Sequence, residues 1–373
     1  MGGIIMSRNH LRKILFCLYC CILLIGVQQA LSHVIPARAD VAPPHPPVGS
    51  DLSPGSEITN VRMISETVTI DVAENSTIKN GHAVVTAKFQ MRNLGDTVEE
   101  MNVRFPLHHS EYNIQSNECY FSLYPSISDI AVWIDGRQVQ VSKTFGKVNP
   151  LPVEGTPLPD IIPCWAHFPV IFPPGQDVNV VVQYTVEGYR SDGDSSITEY
   201  FYVLQTGAGW NDTIGKAQII VRLPYNITPM NFIRCYPEDC YQAGNEVRWG
   251  YEDFEPTEGL ISIDIMLPSI WRNILTETER TTANPSDGEA WGRLGKAYKE
   301  AIMAGRGFAY YGSVTAEMYQ FSQDAYQKAI TLLPNDADWH YGFAELLCTK
   351  AVWGISAEEY IKPTISDWIA CIA

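Results

Sequence analysis

Residues 84–91 read Val84-Val85-Thr86-Ala87-Lys88-Phe89-Gln90-Met91. Val85, Ala87, Phe89 and Met91 fall on alternate positions, with Thr86, Lys88 and Gln90 between them. Successive strand side chains point to opposite faces, so this pattern predicts a half-buried antiparallel strand. Upstream, Val68, Ile70 and Val72 repeat the alternation. Downstream, Asp135-Gly136 separates Ile130–Ile134 from Gln138–Val141, a two-residue hairpin turn whose positions require positive φ. Pro173-Pro174-Gly175 separates Ala166–Phe172 from Val178–Tyr184, and further strands fit Tyr200–Leu204, Ala217–Leu223, Glu246–Tyr251 and Leu260–Met266. Roughly ten to twelve strands with no convincing helical window predict an antiparallel β-sandwich region over 58–270. Two sandwiches in series, divided near 190–198, would fit the same pattern.

The 373-residue chain is 46% apolar and 18% charged, which excludes a disordered polypeptide. Its formal charge of −16 argues against gripping nucleic acid, whose phosphates need a basic face. Residues 1–32 begin with Arg8, Arg12 and Lys13 and continue into the apolar run Ile14–Val27. That run is shorter than the about 20 residues of a membrane-spanning helix and suits a cleaved signal peptide, with Ala30 and Ser32 placing small residues before a cut at His33. An uncleaved anchor is the alternative. The expected location is extracytoplasmic: secreted, periplasmic or at the cell surface. Membrane contact is expected only through export.

Nine cysteines less the three within the signal (Cys17, Cys20 and Cys21) leave an even set for an oxidising compartment. Cys235 and Cys240 bracket the turn-forming Tyr-Pro-Glu-Asp and make the best local pair, worth about 2 kcal/mol. Cys119 with Cys164 is a plausible second bridge. Cys348 and Cys371 form the third, unless Cys371 is unpaired. The spacings match no zinc site.

Residues 33–57 carry six prolines with glycine, serine and aspartate and read as an extended tether. From 271 to 373 the pattern turns helical and repeats. Trp291, Leu294, Gly295 and Tyr298 stand in the order W-x-x-L-G-x-x-Y, and Tyr326, Ala329 and Pro334 follow as a closing half. These residues resemble a tetratricopeptide repeat, which implies paired helices with bulky knobs, small residues at close crossings and a terminating proline. Tyr298 and Tyr326 are 28 apart, so 15 residues are inserted relative to the motif. Asn335 to Ala344 begins a second copy, and Pro285 and Pro334 are 49 apart. A full second copy would run past the last residue, so the helical region is expected to be truncated. The fold class expected is therefore multidomain β plus α, with the β-sandwich region followed by a short tetratricopeptide-like solenoid.

Tyr202-Val203-Leu204-Gln205-Thr206-Gly207-Ala208-Gly209-Trp210, Val61–Glu66 and Trp249 through Thr257 resemble an exported bacterial family of unknown function. The likeness covers 58–270. It implies an exported β-rich domain of a bacterial cell-envelope protein and brings no catalytic residue.

Recognisable chemistry is sparse. Gly209 to Ala217 has the wrong glycine spacing for a phosphate loop, and Ala217 stands where Ser or Thr must meet magnesium. There is no H-E-x-x-H and no G-x-S-x-G. Asp192-Gly193-Asp194 and Asn211-Asp212 hint at calcium but lack the full acidic pattern, which weighs against it. No catalytic residue, cofactor or metal is expected. The leading expectation is a non-catalytic protein that meets a protein or peptide partner at its helical repeats, with Tyr298, Tyr310, Tyr311, Trp339 and Tyr341 as candidate contacts. The alternative is carbohydrate binding or processing, with Trp133, Trp165, Trp210 or Trp249 stacking on sugar rings.

Overall fold

A computed structural model of the chain describes residues 59–108, 111–113, 118–120, 127–144, 164–190, 196–204, 209–255, 260–304, 307–308 and 313–353. The expected signal at 1–32, the tether at 33–57 and Cys371 lie outside the described residues, as do Asp192-Gly193-Asp194, Thr206-Gly207-Ala208, Tyr310 and Tyr311.

In chain order the first strands are β1 (Val61–Val72), β2 (His82–Asn93), β3 (Glu99–His108), β4 (Glu111–Asn113), β5 (Glu118–Tyr120), β6 (Ile127–Ile134), β7 (Arg137–Val139), β8 (Ser142–Thr144) and β9 (Cys164–Phe172). They continue as β10 (Asp177–Glu187), β11 (Ile197–Val203), β12 (Ile214–Arg222), β13 (Phe232–Tyr236), β14 (Tyr241–Ala243), β15 (Glu246–Phe254) and β16 (Leu260–Met266). Helices α1 (Pro268–Ala283) and α2 (Gly288–Ile302) follow, then the ribbon β17 (Met303–Ala304) and β18 (Gly307–Phe308), and helices α3 (Ser313–Leu332) and α4 (Ala337–Trp353).

An eight-stranded sheet runs β14-β15-β12-β1-β2-β10-β6-β7, and two three-stranded sheets run β11-β16-β13 and β3-β9-β8. The alternation read in β2 holds: Ala83, Val85, Ala87, Phe89 and Met91 are all buried. Asp135 and Gly136 both have positive φ and turn β6 into β7. The antiparallel expectation needs correction at the centre, where β1 and β12 run parallel with Val68 opposite Ile219 and Ile70 opposite Val221. Period-two alternation is the same for either direction. Direction is set by the connection, which leaves β10, forms β11 in another sheet and returns beside β1. The Pro173-Pro174-Gly175 turn likewise joins different sheets, since β9 pairs with β3 and β8 while β10 pairs with β2 and β6.

The three sheets share one apolar core. Phe105 and Phe172 from one small sheet, and Tyr202, Ile261 and Ile263 from the other, pack with Phe89, Val180, Ile219 and Trp249 of the large one. Phe105 and Tyr184 rings lie 5.4 Å apart, and Tyr202 Oη donates to the buried Glu66 carboxylate at 2.7 Å. Strands on both sides of 190–198 contribute to this core. Gly215, near the start of β12, lets that strand approach β1 closely, because a Cβ there would come within 2.6 Å of Ile64 O. Trp210 is buried edge-on to Phe172 at 6.0 Å.

The helices grow directly from the sheet. Pro268, at the start of α1, needs no amide partner there and its fixed φ suits the first turn. Tyr225 Oη donates to Met266 O at 2.8 Å, Ser196 Oγ donates to Ala301 O at 2.8 Å, and Trp271 packs on Tyr225. Arg272 on α1 reaches back to Glu74 and Asn75 of the loop after β1. The start of the helical region is thus Pro268, where the sequence placed it at 271.

Two corners of the helical region repeat bond for bond at a spacing of 49 residues. Asp287 Oδ1 accepts from Ala290 N at the start of α2, and Asp336 Oδ1 accepts from Trp339 N at the start of α4. The Asp287 amide donates to Asn284 O, and the Asp336 amide to Leu333 O. Trp291 Nε1 donates to Pro285 O at 3.0 Å, while His340 Nε2 lies 3.0 Å from Pro334 O. The inserted residues extend α3 and form the β17–β18 ribbon.

Candidate functional site: an aromatic face on the helices

Tyr326 is the pin of the helical region. It is only 1% exposed, and its ring lies where a Cβ on Gly295 or on Gly342 would come within 2.9 or 2.8 Å. Glycine on α2 and on α4 therefore lets both helices close on one aromatic ring. Ser322 Oγ donates to Gly295 O at 2.7 Å at the same crossing, and Lys299 Nζ lies 5.9 Å from the Tyr326 ring centre. Burial pushes the Tyr326 hydroxyl well above its usual range, with Glu345 and Glu300 adding to the shift. Trp339 plays a matching part by lying flat against Gly292. Glu277, buried on α1, is held by Arg280 at 2.5 Å and by Arg293 of α2 at 3.0 Å, which locks the first two helices together.

Beside this packing, the half-buried Tyr298 is joined by two exposed apolar side chains, Leu275 and Phe321. Tyr298 of α2 stacks on Phe321 of α3 with centroids 5.3 Å apart and an interplanar angle of 29°. Burial raises the Tyr298 hydroxyl, which hydrogen-bonds to Thr278 of α1. Leu275 precedes Thr278 by one turn on the same face of α1. Leu275 is 42% exposed and Phe321 40% exposed, so an apolar stripe crosses three successive helices. Helix faces of this kind accept the apolar side chains of a partner segment by burying them.

A second polar arrangement lies on the three-stranded sheet β11-β16-β13. Glu199, Asp264 and Arg234 stand opposite one another across its strands, and Arg234 Nε donates to Asp264 Oδ2 at 2.6 Å. Asp264 Oδ1 is buried without a hydrogen-bond partner. Burial raises both carboxyls; the neighbouring Asp264 charge adds to the Glu199 shift, whereas Arg234 opposes the Asp264 shift. Among the described residues no group of three or more His, Cys, Asp or Glu side chains could hold a metal ion.

The sequence-predicted residues are distributed as follows. Leu294, Tyr326 and Ala329 are buried in the helical core with Gly295, Trp291 is half-buried over Pro285, and Pro334 follows the end of α3. Tyr298 faces the stripe, Trp339 packs inward and Tyr341 is exposed. Cys235 and Cys240 are bonded, tying β13 of a small sheet to the residue just before β14 of the large one. Cys348 is also disulfide-bonded. The side chains of Cys119 and Cys164 lie outside the described residues. Of the sugar-stacking tryptophans, Trp165, Trp210 and Trp249 are buried, and Trp133 is half-buried. Leu275 and Phe321 were missed from the sequence. The signal present was an aromatic flanked by Glu317 and Asp324 at helical spacing, but its exposure depends on how α3 is rotated against α2.

No family model and no curated protein matches the chain. Among solved structures, a Legionella pneumophila protein described as a "putative nutrient binding protein" aligns at 16% identity over 79% of this chain and 98% of its own, with a TM-score of 0.44. An M1 zinc metallopeptidase of Deinococcus radiodurans aligns at 10% identity over 57% of this chain and 43% of its own, with a TM-score of 0.28. No helix among the described residues is long and apolar enough to cross a membrane.

Proposed function

We propose that this is a non-catalytic extracytoplasmic protein of the bacterial cell envelope, which binds a protein or peptide partner through tetratricopeptide-like helical hairpins and displays a β-sandwich of the exported family that its sequence resembles. The observation that carries the reading is the Leu275–Tyr298–Phe321 stripe, apolar side chains held outward by helices that Tyr326, Gly295 and Gly342 lock in place. The bonded Cys235–Cys240 pair and the signal-like sequence of residues 1–32 support export. The corner bonds repeated at 49 residues support a lengthened tetratricopeptide-like unit. The carbohydrate alternative loses support from the burial of three of its four tryptophans.

A photo-cross-linking residue at position 321, with one at the exposed Val98 of the β region as control, tests the reading. The expected result is a discrete adduct from position 321 alone, whose partner rebinds the purified chain and is lost with Leu275→Ser. Adducts spread equally over both positions would overturn it.

A further inference from the structure

Resting on the reading of the helical stripe as a docking face, we infer that its partner is a basic amphipathic segment, an apolar anchor flanked by lysine or arginine. The four helices carry six glutamates, and four of them are ion-paired. Glu277 binds Arg280 and Arg293, Glu289 lies near Arg293, Glu300 near Lys296, and Glu345 binds Lys299. The other two, Glu279 and Glu317, have no basic partner among the described residues, and both border the stripe. Glu279 is one turn after Leu275, and Glu317 is one turn before Phe321, close enough for its charge to act on Tyr298. Asp324, one turn after Phe321, is exposed and bonded to Gln320 with no cation. Lys328 marks the far end of this acidic stretch on α3.

Glu279, Glu317 and Asp324, unmatched by a cation among the described residues, border the apolar side chains as charges of one sign, while Asp338 at the start of α4 is unmatched as well. A neutral or acidic segment laid on the stripe would desolvate or repel them. A segment with flanking lysines or arginines supplies the missing counter-charges while its apolar side chain covers Phe321 and Leu275. Such contacts are partly exposed, so their contribution must weaken as salt rises.

The probes are two fluorescein-labelled amphipathic helical peptides of about 15 residues, identical in their leucine and tryptophan positions and carrying either lysines or glutamates. Anisotropy is read with the full chain at about 50 and about 300 mM salt. The lysine peptide is expected to bind about tenfold or more tightly than the glutamate peptide at low salt, with the difference shrinking at high salt. Glu317→Gln with Asp324→Asn should cut lysine-peptide affinity several-fold and leave helix content by circular dichroism unchanged. Phe321→Ser and, on a different helix, Leu275→Ser should each abolish binding. Equal binding of both peptides, with loss in Phe321→Ser, would overturn the charge assignment and leave the docking face standing. Failure of either peptide to bind would also overturn the charge assignment, while cross-linking from position 321 decides the docking face independently.

Discussion

The β region and the helical region of this chain are built by opposite means. In the β region the decisive pairs lie far apart in sequence. Val68 meets Ile219 and Tyr202 meets Glu66, each across more than a hundred residues. In the helical region the corner bonds are local, although Ser322 still reaches Gly295 across 27 positions. Asp287 caps Ala290, Trp291 reaches Pro285, and the same contacts return 49 residues later. Local order can be written as a short motif, because every partner lies within a few positions. Long-range order cannot, because the partner of each strand is chosen only when the sheet assembles.

The largest expected effect comes from attacking the long-range side of this contrast. Phe172→Ala removes a fully buried ring from the shared core, beside Trp210. Urea denaturation should show about 3–5 kcal/mol of lost stability. A loss below about 1 kcal/mol, the size of an ordinary surface change, would mean that the three sheets do not depend on one core.

The local side is sharpened by its own symmetry. Asp287→Ala and Asp336→Ala each remove one helix cap, and each should cost about 1 kcal/mol in thermal or urea unfolding. Near-equal losses would support a repeated unit at both corners. A clear inequality would show that the geometric repetition hides different energetic roles.

The smallest effect is a pH dependence on the sheet surface. Burial raises the folded-state pKa of both Glu199 and Asp264 above the usual carboxylate range near pH 4. The folded chain therefore binds protons there more tightly than the unfolded chain. The favourable contribution of these groups is present at low pH and is lost as pH rises through their folded values. Glu199→Gln should consequently gain stability relative to the wild type as pH increases from about 4 towards neutrality. A difference independent of pH, read from paired urea melts, would show that burial does not raise the Glu199 carboxyl in the folded chain.

The candidate site was legible only in part. Tyr298, Gly295 and Tyr326 stand in a spacing that predicts paired helices, and the structure gives Tyr326 the central packing role between Gly295 and Gly342. Phe321 and Leu275 were not legible, since an exposed and a buried apolar residue look alike until the neighbouring helix is placed. The tryptophans show the same limit in reverse: their alternation with strand residues could not say whether Trp165, Trp210 and Trp249 would meet solvent or core, and they are buried.

Sequence alone settled the alternation of β2, the turn at Asp135-Gly136, the bridge between Cys235 and Cys240, and the helix-bearing stretch around Trp291. Each depends on residues within a few positions of one another, where chain geometry leaves few choices. Tertiary structure alone decided that β12 runs parallel to β1, that three sheets close on one core, and that Tyr298 and Phe321 stack between two helices. Those outcomes depend on burying apolar surface, a force without direction, so their geometry is fixed only when the whole chain is packed.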